Sequence, residues 1–142
     1  MIFATYGIDE YLAATYAPHS EGMDMKAIVL NQPWASMVAS GRKTIELRSW
    51  STKHRGPIVI CAGVRGWSDE AVATLGDGPR GVELCVVNLV DVRPATEDDR
   101  DAAGVGGRVK SLDGLYAWVL EEPKPVKQAP VRGMPGIFTL QR

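Results

Sequence analysis

The chain has 142 residues, of which 45% are hydrophobic, and its 16 Lys and Arg against 17 Asp and Glu give a formal net charge of -1. This length predicts one domain with one core, which excludes separate cofactor and substrate domains. A nearly neutral chain is not drawn to nucleic acid or to a membrane by its overall charge, so only a local cluster of basic residues can support such partners.

The first 22 residues are interpreted as an N-terminal appendage, and residues 23–142 as the domain. Residues 9–13 predict the start of a short helix that Pro18 would end. No apolar run approaches the roughly 20 residues of a membrane span, and the first residues carry acids instead of the basic residues of a signal peptide. We therefore expect no membrane association and a cytoplasmic location.

The first half of the domain predicts a strand, a helix and a second strand. The branched apolar run MKAIVL at residues 25–30 favours a buried strand. Residues 33–40 begin with proline, carry apolar side chains at helical spacing and are followed by Gly41, which together predict a short helix. Residues 43–50 alternate between apolar and polar side chains, as a half-buried strand does.

The second half adds two small helices and four strands. Ser68 is suited to cap a helix that ends at Gly76, and Thr96 with Asp99 has the spacing of a capping box before a brief helix. Apolar runs predict strands at residues 58–62, 82–92, 115–120 and 137–140, and the second of these should bury one parity of its side chains. Short strands with small helices between them predict an α+β or mainly β fold, a largely antiparallel sheet or small β-barrel.

A basic stretch follows the first helix, and it contains one acid, Glu46. Its basic residues are Arg42, Lys43, Arg48, Lys53 and Arg55. Glu46 and Arg48 share a strand face, and Lys43 enters at the corner between helix and strand. This cluster is either a self-satisfied ion-pair network or a polar recognition site for a base or nucleoside edge. Trp34, on the preceding helix, is either a core anchor or a partner on which a base stacks.

Other patterns that could carry chemistry are weak. His19 and His54 have no ligand spacing to each other or to the cysteines, so we expect no metal. Cys61 and Cys85 lie in apolar runs without the spacing of a disulfide framework, which favours a reducing compartment. The GVGG run at Gly104 lacks the strand-to-helix context of a dinucleotide site, and no cofactor is predicted.

Residues 30–50, LNQPWASMVASGRKTIELRSW, resemble the strand, helix and Gly-x-Lys-x-x-Glu-x-Arg signature of the ASCH family in the PUA-like superfamily. Gly41, Lys43, Glu46 and Arg48 match that signature. The later segments HRGPIVICAG, LYAWVLEE and PVRGMPGIFTL also resemble blocks of this family, so the resemblance extends over residues 25–142. It implies a PUA-like barrel with small helices, whose cleft between the first helix and the barrel binds RNA, another single-stranded nucleic acid or a modified nucleotide.

The resemblance also implies roles for individual residues. Lys43 and Arg48 would hold phosphate or carbonyl groups, and Glu46 would accept hydrogen bonds. The basic loop that reaches Arg55 would follow the nucleic-acid backbone. The residues expected to bind nucleic acid or ligand are Gln32, Trp34, Arg42, Lys43, Glu46, Arg48, Lys53 and Arg55.

Two alternatives to a binding module stay open. One branch of the family hydrolyses the amide of acetylated cytidine with the signature lysine as base and a threonine three residues later as nucleophile, a position that is Glu46 here. The first alternative is therefore an amidohydrolase or ribonuclease in which Lys43 and Glu46 transfer protons. The second is an adaptor that binds another protein and whose charged cluster is structural.

Overall fold

The computed structural model describes residues 23–141, so the expected appendage and its helix lie outside the described residues. Six strands form one sheet: β1 (Met25–Gln32), β2 (Ile45–Arg48), β3 (Gly56–Gly66), β4 (Val82–Pro94), β5 (Tyr116–Pro125) and β6 (Phe138–Leu140). Their order across the sheet is β2-β5-β4-β3-β1-β6. β1 and β3 run parallel, and the other neighbouring pairs run antiparallel.

Three short helices accompany the sheet: α1 (Trp34–Ala39), α2 (Asp69–Leu75) and α3 (Arg100–Ala103). The predicted caps are present: the Ser68 hydroxyl accepts a hydrogen bond from the Ala71 amide at 3.0 Å. Thr96 and Asp99 form the capping box of the 3-10 turn that leads into α3. Within residues 23–141, no helix has the length and apolar character needed to cross a bilayer.

The expected fold class is confirmed, although the sheet is open and "barrel" describes it only loosely. β2 forms one edge of the sheet, and β1 lies next to the other edge. Arg48 of β2 donates a hydrogen bond from Nη2 to the carbonyl oxygen of Val29 in β1 at 2.8 Å. A side chain, and not a strand ladder, therefore bridges the seam between the two ends of the sheet.

The strands β1 and β3 are buried on both faces, which explains their continuous apolar runs. Ile28 and Ile60 belong to the larger core, which includes the side chains of α1. Ala27 and Val59, of the opposite parity, belong to a smaller cluster with Cys61. The period-two geometry of a strand thus divides each run between two cores.

The prediction of one buried parity along β4 is wrong. Pairing along this strand shifts register between Val86 and Asn88 where it meets β5, and again between Leu89 and Asp91. Residues 83–87 are all buried, so both parities of the strand are covered there. Leu89 is buried as well, whereas Val90 is 37% exposed.

Candidate ligand-binding cleft

A cavity of about 450 Å³ opens at the seam between β1 and β2. Its polar lining side chains are Asn31, Lys43, Glu46 and Arg48. Its wall also includes two indoles and several apolar residues: Val29, Leu30, Trp34, Leu47, Trp67, Val105, Val109, Leu115, Met134, Pro135 and Gly136. The cavity therefore combines a charged cluster with a largely apolar wall.

The charged cluster is held together by its central carboxylate. Glu46 Oε2 accepts a hydrogen bond from Arg48 Nε at 2.9 Å, and its Oε1 lies 3.4 Å from Lys43 Nζ. Glu46 and Arg48 are two residues apart on β2, so they share a face of that strand. Lys43, Glu46 and Arg48 therefore lie together, as the sequence predicts. They form an ion-pair network and are also part of the cavity wall.

The backbone after α1 carries Lys43 into the interior. Gly41 adopts a positive φ of 82°, which glycine tolerates, and its amide donates to the carbonyl of Val38 at 3.0 Å. The amide of Lys43 then donates to the Met37 carbonyl at 3.0 Å, and the Thr44 amide donates to the carbonyl of Ala102. The chain therefore turns from helix to strand within a few residues and points the lysine inward.

Lys43 is a buried amine, with only 2% of its surface exposed. Its Nζ donates to the Ala103 carbonyl at 2.6 Å and lies 5.3 Å from the centroid of the Trp34 ring. Burial lowers the pKa of Lys43 below its ordinary value, and the nearby Arg48 lowers it further, while Glu46 opposes both. The sequence left the direction of this pKa shift open, and the structure shows that burial dominates.

Two tryptophans form the aromatic part of the wall. Trp34 is 7% exposed and packs edge to face on Trp67, with 5.4 Å between the ring centroids. Trp67 is 45% exposed, and its amide donates to the Gln32 carbonyl at 2.7 Å. Trp34 thus serves the core and lines the cavity at the same time, whereas Trp67 offers an accessible indole at the mouth.

Two of the expected binding residues, Gln32 and Arg42, do not line the cavity. Gln32 is fully buried, and its amide accepts from the Ser36 amide and donates to the Ser36 hydroxyl and to the Pro79 carbonyl. These bonds fix the start of α1 to a distant loop. Arg42 is exposed and donates to the Leu75 carbonyl at the end of α2.

The expected basic residues of the following loop also lie outside the cavity. Lys53 and Arg55 are exposed and precede β3, whereas Trp67 follows the other end of this 11-residue strand. Arg55 donates to the carbonyls of Thr52 and His54 and forms a long ion pair with an exposed aspartate. The four expected residues that the structure brings together are therefore Trp34, Lys43, Glu46 and Arg48.

Sequence reasoning did not single out three parts of the lining. Asn31 immediately follows the predicted first strand, and Trp67 precedes the Ser68 cap in a segment to which the sequence assigned no binding role. The segment Met134, Pro135 and Gly136 lies in the PVRGMPGIFTL block, whose resemblance to the family was the available signal. Among residues 23–141, no group of three or more His, Cys, Asp or Glu side chains is arranged to hold a metal ion; His19 lies outside them.

Comparison with known proteins gives two curated relatives with one shared description. Activating signal cointegrator 1 from Homo sapiens and the protein of the same name from Mus musculus are each 28% identical over 127 residues. The match covers 78% of this chain but 21% of each relative. The chain thus spans about a fifth of the length of the curated relatives it matches.

The architecture also has a solved counterpart. The crystal structure of ASCH from Zymomonas mobilis superposes with a TM-score of 0.60 at 14% identity, covering 83% of this chain and 88% of the other. Two point variants of the Zymomonas protein give TM-scores of 0.56. At this identity the likeness shows the fold. The ASCH domain family model matches residues 28–129, which include the whole Gly-x-Lys-x-x-Glu-x-Arg signature, and the chain therefore belongs to the ASCH domain family with its PUA-like fold.

Proposed function

We propose that this domain binds single-stranded RNA, or a modified nucleotide, with one unstacked base in the cavity. The observation that carries the proposal is the joining of the Lys43, Glu46 and Arg48 cluster with the Trp34 and Trp67 indoles around one cavity. Proteins that recognise RNA commonly stack splayed bases on aromatic side chains and hydrogen-bond the base edges. Membership of the ASCH family supports association with RNA.

The size of the cavity favours a single base or nucleoside over a longer stretch of nucleic acid. Its volume of about 450 Å³ falls in the range of about 300–1,000 Å³ that is typical of pockets for one small ligand. The exposed indole of Trp67 at the mouth offers a surface on which that base, or its neighbour in the chain, can stack.

The charges around the cavity predict a weak dependence of binding on salt. The cluster contains two basic side chains and one carboxylate that contacts both. Each phosphate neutralised on a single strand contributes about −0.7 to the slope of log K against log salt concentration. If one or two basic residues near the mouth contact phosphates, the slope is about −1, far shallower than that of a domain that binds through a basic face.

The proposal is tested with an end-labelled, mixed-sequence 20-nucleotide RNA and fluorescence anisotropy. Trp67→Ala removes the accessible indole and should weaken binding by about 1–3 kcal/mol, the range for one stacked base. Val64→Ala is the matched control, because Val64 lies three residues before Trp67, is 75% exposed and does not line the cavity. Equal affinities for the wild type and Trp67→Ala would contradict the proposal.

A second function, hydrolysis of a nucleoside amide or of RNA, is favoured by the buried amine. Lys43 lies in the cavity wall beside Glu46, and burial lowers its pKa, as a general base requires. Acetylated cytidine and RNA are incubated separately with the wild type, Lys43→Ala and Glu46→Ala, and products are separated by chromatography. Product that disappears in both variants, with folding checked by thermal unfolding, supports an enzyme.

The remaining outcomes distinguish the other hypotheses. Binding without product supports a binding module. Neither binding nor product supports a protein-binding adaptor with a structural ion network.

The proposal includes a cytoplasmic location for a domain that spans residues 23–142. Both cysteines are buried thiols, as expected in a reducing compartment. Burial raises the pKa of Cys85 to about 12, so its thiol stays protonated and unreactive at neutral pH.

A further inference from the structure

We infer that Asn31 determines which base the cleft accepts, by hydrogen-bonding the edge of that base with its side-chain amide. The inference rests on the proposed function and adds to it a residue and a class of ligand. The ligand that occupies the cavity is a neutral nucleobase, and its phosphates remain outside.

The amide of Asn31 differs from the other polar groups of the wall because no protein group within the described residues bonds to it. Lys43 donates to a carbonyl and contacts Glu46, and Arg48 donates to Glu46 and to the backbone of β1. The Asn31 side chain lines the same cavity, and within residues 23–141 its amide has no hydrogen-bond partner. Its donor and its acceptor are therefore both available to a ligand.

An irregularity in the sheet places this side chain. β1 and β3 pair in register up to Leu30 and Ala62, and the next pair joins Gln32 to Gly66. One residue of β1, Asn31, therefore stands opposite three residues of β3. Bulges of this kind re-aim side chains and occur next to active sites more often than elsewhere in sheets. The irregularity places a polar side chain at the cavity, at the end of the apolar run of β1.

A glycine on the neighbouring strand leaves room for the amide. A Cβ atom built on Gly63 would overlap Oδ1 of Asn31 and would also crowd the side chain of Val29. The absence of a side chain at residue 63 therefore allows the amide to lie directly against the backbone of β3. A side chain at residue 63 would displace the amide from this position beside the cavity.

The charges of the cavity favour a neutral base over a phosphate. Both cations of the cluster already donate to protein acceptors, Lys43 to the Ala103 carbonyl and Arg48 to Glu46 and a carbonyl of β1, so neither is free to bind a phosphate. An amide has one acceptor and one donor group, which complement the mixed donor and acceptor edge of a nucleobase. One amide that pairs with a base edge in this way discriminates between bases by about 5- to 150-fold.

The test uses four end-labelled RNA pentamers in which a single base, A, C, G or U, is flanked by abasic positions. Affinities are measured for the wild type, Asn31→Asp, Asn31→Ala and the Val64→Ala control. The wild type and the control should prefer one base over the least favoured base by about 5-fold or more. Asn31→Asp, which replaces donor hydrogens with an acceptor, should change the order of preference, and Asn31→Ala should bring the four affinities to within about twofold of one another.

The outcomes separate this inference from the proposed function. An unchanged order of preference in both variants, or equal binding of the four pentamers by the wild type, overturns the role of Asn31 alone. Binding of the 20-nucleotide RNA without binding of any pentamer overturns the placement of a base in the cavity. Failure of the wild type to bind either RNA overturns the proposed function. Thermal unfolding of the two variants confirms that they fold, and Asn31→Ala decides the matter if the added charge of Asn31→Asp prevents folding.

Discussion

Replacement of Glu46 by Gln tests whether Lys43 is a buried charge that depends on one carboxylate. Glu46 supplies both interactions that raise the pKa of Lys43, whereas burial and Arg48 lower it. In the Glu46→Gln variant only burial and Arg48 still act on the pKa of Lys43, so this pKa falls further. The side chain of Lys43 is 1% exposed and that of Glu46 is 13% exposed, so the ammonium loses its carboxylate partner in a largely buried site.

The expected loss of stability follows from two limits. Removing one partner of a buried ion pair typically destabilises a protein by about 3–5 kcal/mol. Lys43 can instead lose its proton, which at pH 7 costs at most about 5 kcal/mol relative to an unfolded lysine, since each pKa unit is about 1.4 kcal/mol. We expect a loss of about 3 kcal/mol at pH 7. At pH 10 removal of the Lys43 proton costs less than about 1 kcal/mol. The loss of stability caused by Glu46→Gln should therefore shrink to about 1 kcal/mol.

The sign of this pH dependence follows from proton binding. Between the folded pKa of Lys43 and its unfolded value of 10.5, the unfolded chain binds more protons, so stability rises with pH. Urea unfolding followed by circular dichroism at pH 7 and pH 10 measures the free energy of unfolding, with the exposed Glu121→Gln as control. A loss under about 1 kcal/mol at pH 7, or an equal loss at both pH values, would refute a buried charge at Lys43.

Three further predictions concern other parts of the fold. The guanidinium of Arg93 lowers the pKa of Asp99 to about 2, and because Arg93 is 40% exposed we expect Asp99→Asn to lose about 1–2 kcal/mol at pH 7. That loss is present above pH 4 and should disappear as the pH falls through about 2, and urea titrations that show a constant difference would contradict it. Ser68→Ala removes the cap of α2 and should cost about 1 kcal/mol by thermal unfolding, whereas Ser68→Asp should retain most of the stability. Gly63→Ala displaces the amide of Asn31 and should abolish base preference in the pentamer assay, and an unaltered preference would contradict the contact.

The parts of this molecule that could be predicted from sequence are those encoded over a few residues. Ser68 and the Thr96 and Asp99 pair identify their helix starts because a cap needs only a side chain and the amide three residues on. The grouping of Lys43 with Glu46 depends on three residues of separation across a turn, and it was predicted. Local chemistry determines these features, so a single sequence suffices to find them.

The features that the sequence did not reveal depend on contacts between distant segments. Gln32 looked like a ligand-binding residue because it is polar and adjoins the signature, but its amide bonds to Pro79, 47 residues away. Trp67 becomes part of the cavity only because the end of β3 lies beside the end of β1. The prediction of one buried parity along β4 was wrong because the two cores cover opposite faces of this strand, with Val87 in one and Val86 in the other.

The open seam of the sheet explains why a cavity exists in so small a domain. A ladder between β1 and β2 would bring the two strands to about 5 Å and leave no room between them for a ligand. Arg48 instead joins the strands through a long side chain, with Nη2 on the Val29 carbonyl and Nε on Glu46. A planar guanidinium can hold both acceptors at once in a fixed geometry, which an ammonium group cannot. The same residue therefore bridges the seam at a width that admits a small ligand and fixes the carboxylate that faces the cavity.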